Sequence, residues 1–183
     1  VVDIARTSAF RYALGYVDGL AREYGVEREE LRAYAQANCR GLHGIARAFD
    51  VFEHMDGRSD NGGESEARAA MILAGVAAPE LQVEITRPGN AGCYLADYGW
   101  QMPNGSWMLA ELHGLGKFED DAQNDPEHTA AKTYRAALMR DANLRAMGHN
   151  VIHFKLSDTY DVKAFGSMMR GYGIPTTKPY ADS

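Results

Sequence analysis

The sequence predicts an α/β protein with a helical N-terminal extension, then a helix, a three-strand antiparallel meander, a helix and a last strand. Apolar residues near the N-terminus recur at the 3–4 spacing of one helical face: Phe10, Leu14, Val17 and Leu20. Later, short runs of alternating and β-branched residues predict strands, and a Pro-Asn-Gly turn separates two of them. The 183 residues suffice for one domain with additions, and the hydrophobic fraction of 45% is ordinary for a globular protein.

Residues 1 to about 56 are predicted to be helical. Gly25 lies where the first long helix would stop, and two further short helices are predicted for EREELRAYAQAN and HGIARAFDVFEHM. The polar, Gly-rich run DGRSDNGG, residues 56–63, is the best boundary in the chain. We therefore expect a helical extension over residues 1–60 and a second domain over residues 61–183.

The second domain alternates between helices and strands. ESEARAAMILAG predicts a helix that ends at Gly75, and PELQVEIT predicts a short strand. Two more strands, YLADYGWQM and SWMLAELH, flank the Pro-Asn-Gly turn. A long loop leads to the helix TAAKTYRAALMRDANLRAM, which Gly148 would end, and NVIHFKLSD is the last strand. A short helix is expected near residues 162–170.

Composition narrows the classes of function. The formal net charge of −6 disfavours a general nucleic-acid binder, which usually carries a basic excess. Cys39 and Cys93 lie far apart in the sequence, which favours two free, buried thiols in a reducing cytosol. No apolar run approaches the roughly 20 residues of a membrane span, so we expect a cytoplasmic protein without a membrane partner. The chain begins with Val1, which favours a piece of a longer protein.

Two carboxylates lie on consecutive predicted strands, on either side of the turn. Asp97 and Glu111 would hold a hard divalent cation through oxygen ligands, and the cation would activate water for attack on a phosphodiester. A two-residue Asn-Gly turn would place Asp97 opposite Leu112, whereas a three-residue loop over 103–105 would place it opposite Glu111. The site therefore requires an odd-numbered loop or a bulge. His113 shares the face of Glu111.

Basic side chains follow an acidic stretch in the last third of the chain. Arg135 and Arg140 lie on the long predicted helix, and Lys155 ends the last strand. These side chains are candidates for contacts with a phosphate backbone. The alternative is that they are solvated surface positions, with the acidic stretch as a solvated loop.

The order GESEARAAMILAG–PELQVEI–YLADYGW–MLAELHGLGKF–LRAMGHNVIHF resembles the restriction-endonuclease-like (PD-(D/E)xK) superfamily over about residues 62–158. Its likeness is strongest to the branch with very-short-patch-repair-type endonuclease domains. The N-terminal VVDIARTSAFRYALGYVDGLAREYG is similar to a helical segment of actinobacterial proteins related to type IV abortive-infection antitoxins, in which a winged-helix region lies upstream. The resemblance implies a restriction-endonuclease-like core.

The resemblance also implies roles for individual residues. Asp97 and Glu111 match the metal-binding acids of the second and third core strands. Glu64 matches a carboxylate on the first helix that supports the metal shell. Gln82 matches a polar residue that borders the site, and it is a candidate contact to nucleic acid. Lys117 is the candidate for a migrated catalytic lysine.

Two positions depart from the pattern of this branch. The third strand typically reads Glu-x-Asp-Gly, but His113 stands at the Asp, in the slot that holds the superfamily's usual lysine. The last strand typically carries Arg where this chain has His153. Loss of a hard oxygen ligand should weaken Mg²⁺ binding, since imidazole suits Mn²⁺, Fe²⁺ or Zn²⁺ better.

The leading expectation is a nuclease domain dependent on Mg²⁺ or Mn²⁺ that hydrolyses DNA, in a bacterial cytoplasmic protein of defence or toxin–antitoxin function. The alternative is a catalytically inactive nuclease-fold module for DNA binding or protein interaction, resembling an antitoxin or a transcriptional regulator. The His113 and His153 departures favour the alternative. A third hypothesis makes the N-terminal helices a dimerisation element and the nuclease fold a scaffold. Expected partners are DNA and a cognate toxin or antitoxin, or a second copy of the chain.

Overall fold

The computed structural model describes residues 1–113, 126–178 and 180. Lys117, the candidate migrated lysine, lies outside these described residues. The chain divides into two compact units. The first unit combines Val1–Ala78 with the described residues from Ser157 onward, and the second unit is Pro79–Leu156.

The described residues form helices and strands in nearly the predicted order. The helices are α1 (Val2–Thr7), α2 (Phe10–Tyr24), α3 (Arg28–Asn38), α4 (Ile45–Glu53), α5 (Gly62–Leu73), α6 (Pro126–Ala146) and α7 (Val162–Gly171). The strands are β1 (Glu80–Thr86), β2 (Cys93–Gln101), β3 (Trp107–His113) and β4 (Asn150–Lys155).

The first unit is built on the apolar face of α2. Phe10, Leu14 and Val17 are completely buried, as their helical spacing predicts. Gly25 follows the last turn with φ of 64°, a left-handed conformation that glycine adopts without steric cost, so α2 ends where the sequence places its end.

Helix α5 belongs to the first unit, whereas the sequence assigns it to the second domain. Arg68 of α5 forms an ion pair with Asp18 of α2 at 2.7 Å, and both side chains are buried. This contact joins residues 50 positions apart in the sequence. The division between the units falls after Ala78 and not at residues 56–63, because long-range packing of α5 is invisible in a local run of polar residues.

The second unit contains a four-stranded sheet in the order β1-β2-β3-β4. Strands β1 and β2 are antiparallel, as are β2 and β3, whereas β3 and β4 are parallel and α6 connects them. The α/β class, the antiparallel meander and the helical crossover are therefore confirmed. Parallel neighbours require such a long connection.

The turn between β2 and β3 has the odd-numbered loop that the site hypothesis requires. Gln101 pairs with Trp107, and the Met102 N–H donates to the Ser106 carbonyl at 2.8 Å, which leaves residues 103–105 as the loop. Gly105 has φ of 82°, the left-handed conformation that a three-residue hairpin loop requires.

The sheet packs an apolar cluster against α6. The cluster includes Leu109 from β3, Val151 from β4 and Leu144 from α6, which are buried. Both cysteines are free, as predicted. Cys39 is buried but Cys93 is exposed, so the prediction of two buried thiols is wrong for Cys93, which lies at the end of the β1–β2 ladder.

In the part of the chain that the structure describes, no helix is both long enough and apolar enough to cross a membrane.

Candidate functional site

Four polar residues lie in one line across the sheet of the second unit. In the β1–β2 ladder, Leu81 pairs with Tyr98 and Val83 pairs with Ala96. This register places Gln82 opposite Asp97. Extending the β2–β3 register one position beyond its last pair places Asp97 opposite Glu111, and β4 continues the line with His153 beside Glu111. We call Gln82, Asp97, Glu111 and His153 the polar row.

Gln82 has an unusual backbone conformation. Its φ is 53°, and it is the only non-glycine residue with positive φ among the described residues. A non-glycine residue in this region costs about 1–3 kcal/mol, and such residues cluster at functional sites. The strained residue lies directly opposite Asp97, where the resemblance places the border of the site.

Asp97 takes part in holding β3 to β2. Its Oδ2 accepts a hydrogen bond from the Leu112 N–H at 2.8 Å. The regular β2–β3 ladder ends one step earlier, at Tyr98 and Ala110. The half-buried carboxylate therefore satisfies a backbone donor that the ladder does not pair.

Glu111 is held by Arg140 of α6. The Arg140 Nη1 donates to Glu111 Oε2 at 2.6 Å and Nη2 donates to Oε1 at 2.5 Å, and Nη2 also donates to the Leu95 carbonyl. Burial by itself would lower the pKa of Arg140, but the hydrogen bonds and charge of Glu111, with the charges of Asp141 and Asp97, raise it. Both Glu111 oxygens are thus bonded to one permanently charged guanidinium.

A second pair lies beside the first. The His153 Nε2 is 2.8 Å from Asp141 Oδ2, and Arg145 approaches the same oxygen at 3.6 Å. The rings of His113 and His153 stack, with centroids 4.7 Å apart and planes 14° apart. The Asp141 Oδ1 and the His153 Nδ1 are buried and have no hydrogen-bond partner among the described residues.

The carboxylates of the polar row do not fit a metal ion in this arrangement. Arg140 covers both oxygens of Glu111, and Asp97 binds a backbone N–H. His113 stacks on His153, and no group of three or more His, Cys, Asp or Glu side chains among the described residues could hold a metal. The predicted partners Asp97 and Glu111 stand opposite each other in the extended β2–β3 register, and the cation bonded to Glu111 is an arginine.

Glu64 lies in the first unit, in the first turn of α5. Its Oε2 accepts from the Asp60 N–H at 2.8 Å and its Oε1 accepts from Asn61 Nδ2 at 2.8 Å. The Glu64 N–H in turn donates to Asn61 Oδ1 at 3.0 Å. These bonds form a helix cap, which accounts for the burial of a carboxylate that is only 4% exposed.

The predicted nucleic-acid contacts separate into two groups. Arg140 turns inward to Glu111, whereas Arg135 is exposed on α6 and Lys155 is exposed at the end of β4. Lys155 pairs with His113 in the β3–β4 register. Asp141 was not among the predicted site residues, and its position three residues before buried Leu144 is the signal that places it on the inner face of α6.

Two relatives are similar to part of the chain. They are the uncharacterised proteins MT2308 and Rv2248 of Mycobacterium tuberculosis, strains CDC 1551 and H37Rv. Each is 35% identical over 99 residues, which cover 54% of this chain and 36% of the relative. No protein-family model matches the chain. No solved structure matches it either.

Proposed function

We propose that the Pro79–Leu156 unit is a restriction-endonuclease-like module that binds nucleic acid without hydrolysing it. The pairing of Arg140 with Glu111 is the observation that carries this proposal. Both oxygens of the acid expected to hold the catalytic metal are bonded to the guanidinium, at 2.5 and 2.6 Å. The three-strand meander followed by a crossover helix and a parallel strand supports the nuclease-like assignment of the fold.

Replacing a metal ion by arginine removes the chemistry of hydrolysis. A bound divalent cation generates hydroxide by lowering the pKa of water, and it polarises the phosphate. A guanidinium has only N–H donors and remains protonated, so it serves neither as a base nor as a ligand site for water. His113, in the place of the usual lysine, stacks on His153, whose Nε2 faces Asp141.

The exposed surface of α6 supports contact with a phosphate backbone. Lys132, Arg135 and Arg145 carry positive charge there, and the Arg145 side chain is 56% exposed. Asp141 is the only acidic residue of α6 whose side chain the structure describes, and it turns to His153. Arginine and lysine contacts to phosphate position a protein on a duplex without reading its sequence.

Binding is tested by fluorescence anisotropy with a labelled duplex. If two or three side chains neutralise phosphates, affinity should fall about 10- to 40-fold between 50 and 200 mM salt. Arg135→Ala should weaken binding and flatten this salt dependence. Glu84→Ala removes an exposed charge from β1 and serves as the control, expected to leave the salt dependence unchanged. Absence of binding at low salt would contradict the proposal.

Hydrolysis is tested on supercoiled plasmid and single-stranded DNA with Mg²⁺ and then with Mn²⁺. We expect no nicking by the wild-type protein, and Asp97→Ala is the paired control. Metal-dependent nicking that disappears in Asp97→Ala would overturn the proposal. Equal activity in both proteins would identify a contaminating nuclease.

A metal-dependent endonuclease is the second candidate. The position of Asp97 opposite Glu111 favours it, because two acids on adjacent strands are the arrangement that the nuclease resemblance requires. Hydrolysis would require Arg140 to leave Glu111 before a cation could bind. The plasmid experiment decides between the two candidates.

The cellular role follows from the same resemblance and is part of this proposal. A module that binds DNA without cutting it fits an antitoxin or transcriptional regulator in the bacterial cytoplasm. Its partners would be operator DNA and a cognate toxin. The whole protein's role is to be tested with the full-length chain, since the matched region covers only 36% of each relative.

A further inference from the structure

A cavity of about 350 Å³ lies within the second unit, between the β1–β2 turn and the C-terminal end of α6. Arg87 and Tyr94 line it on the side of the turn, and Asn143 lines it on the side of the helix. We infer that it takes one unpaired base of a DNA strand, which stacks on the Arg87 guanidinium and bonds to Asn143 along its edge. The inference rests on the proposed function, because it names the form of nucleic acid that the module selects.

The first support is the position of the Arg87 side chain. The Arg87 Cζ lies over the Tyr94 ring, 4.3 Å from its centroid. Contact with a ring uses one side of the guanidinium and none of its N–H donors. Arg87 is exposed, and no carboxylate among the described residues pairs with it. Its other side is therefore open to a ligand, and unstacked bases pack on guanidinium planes.

The second support is a pair of polar groups with unused bonding capacity. The Asn143 Nδ2 donates to the Tyr94 Oη at 2.8 Å. This bond leaves the Asn143 Oδ1 as an acceptor and one Nδ2 hydrogen as a donor, with no other side-chain partner among the described residues. An asparagine amide with this donor and acceptor matches N7 and N6 of adenine. Because Tyr94 holds the amide in place, Asn143 presents a defined edge to a base.

The third support is the character of the other walls. Pro88, Ala91 and Met147 contribute apolar surface. No Asp or Glu among the described residues lines the cavity. The volume is near the low end of the roughly 300–1,000 Å³ typical of small-ligand sites. An apolar cavity of this size with one cation at its wall suits a flat heteroaromatic ring that is joined to a phosphate.

Helical geometry connects the cavity with the proposed phosphate contacts. Arg135, Met139 and Asn143 recur every four residues, which places them along one side of α6. Eight residues of helix span about 12 Å. A strand whose phosphate contacts Arg135 would therefore reach the cavity over a short distance, and both surfaces would serve one ligand.

The experiment compares two labelled duplexes, one fully paired and one with a single extrahelical adenine. Fluorescence anisotropy in EDTA gives the ratio of their dissociation constants. We expect the wild-type protein to bind the bulged duplex at least about fivefold more tightly, the lower end of what stacking of one base contributes. Arg87→Met should bring the ratio to one. Arg87→Lys keeps the charge but lacks the flat guanidinium, so it should lose most of the preference as well.

Two further variants separate this site from the rest of the surface. Arg135→Met, at another exposed arginine of the same unit, should weaken binding of both duplexes and leave their ratio unchanged. Asn143→Ala should remove the preference for an extrahelical adenine over an extrahelical thymine. Circular dichroism verifies that each variant is folded.

Equal binding of the two duplexes by the wild-type protein would overturn the inference and leave the proposed function standing. A preference that Arg87→Lys retains in full would also overturn it, because charge alone would then explain the selectivity. Binding of free deoxyadenosine monophosphate without preference for the bulged duplex would assign the cavity to a free nucleotide instead. Absence of binding to either duplex at low salt would contradict the proposed function as well. Since EDTA prevents metal-dependent cleavage, the ratio is independent of plasmid nicking.

Discussion

Each unit contains an ion pair in which one arginine binds both oxygens of a carboxylate, and the two pairs differ chiefly in burial. In the first unit, Arg68 Nη2 donates to both oxygens of Asp18, and the side chains are 5% and 0% exposed. In the second unit, Arg140 holds Glu111 with side chains that are 23% and 16% exposed. The same chemical pair thus occurs once inside a helical core and once at the border of a sheet.

The partners around each pair show what the difference means. Asp18 also accepts from the Asp56 N–H, and Arg68 donates to the His54 carbonyl at 2.6 Å, so the buried pair joins α2, α5 and the connection between them. Burial raises the pKa of Asp18, and the charge of Arg68 opposes that rise. The buried pair is therefore shielded from water on all sides, whereas the Arg140–Glu111 pair is partly exposed to it.

The largest expected effect is the loss of stability when the buried Arg68–Asp18 pair is broken. Arg68→Met leaves the Asp18 carboxylate without its counterion, which should lower the free energy of unfolding by about 3–5 kcal/mol. Arg140→Met should lower it by no more than about 1–2 kcal/mol, because water can reach Glu111. Urea unfolding followed by circular dichroism measures both, with Arg135→Met as the exposed control. Similar losses in the two variants would show that burial does not separate the pairs.

A second prediction concerns side-chain packing at Gly99 in the sheet of the second unit, where the ion pair is expected to contribute little to stability. A Cβ at Gly99 would lie 2.8 Å from Val83 Cγ2 and 3.0 Å from Trp107 Cε3. Gly99→Ala should therefore cost about 1–3 kcal/mol through overpacking. The double variant with Val83→Ala should lose less than the sum of the single losses. Strict additivity in urea unfolding would place the origin of the loss elsewhere.

A third prediction concerns the strain at Gln82, in the polar row of the second unit. Gln82→Gly removes the cost of a positive φ, whereas Gln82→Val places a β-branched side chain in a left-handed conformation. We expect Gln82→Val to be less stable than Gln82→Gly by about 1–2 kcal/mol. The same pair of substitutions at Glu84, an exposed position of the same strand, should show the reverse order. Equal stabilities at Gln82 would show that its backbone relaxes.

The order of the strands follows from local sequence. The parity of the Pro-Asn-Gly turn does not, because the sequence allows a two-residue or a three-residue loop, and the three-residue loop of the structure brings Asp97 opposite Glu111. The partner of Glu111 does not follow, since it depends on how α6 lies over the sheet. The packing of α5 against α2 does not follow from local sequence either, since the Asp18–Arg68 contact spans 50 positions. Local patterns determine elements and registers, while contacts between elements decide which acid has a counterion.

The smallest expected effect is the pH dependence of stability that His54 contributes beside the buried Arg68–Asp18 pair. Burial, and then the charge of Arg68, lowers the pKa of His54 below its ordinary value. The unfolded state therefore binds more protons once the pH falls below about 6.5, and the free energy of unfolding should decrease on acidification by less than about 1 kcal/mol per pH unit. This stability is present above pH 6.5 and is lost as the pH falls toward the folded-state pKa.

Urea unfolding at pH 7.5 and 5.5 isolates the contribution of His54. His54→Gln should lose less stability between the two values than the wild-type protein, whereas His43→Gln, at an exposed histidine of the same unit, should match the wild type. A wild-type pH dependence in His54→Gln would contradict the assignment. In Arg68→Met the contribution of His54 should shrink, because the charge of Arg68, which helps to lower the pKa of His54, is gone. The charge of the buried Arg68 would then be detectable through the pKa of the neighbouring His54. Around the more exposed Arg140–Glu111 pair, screening by solvent should weaken any such effect.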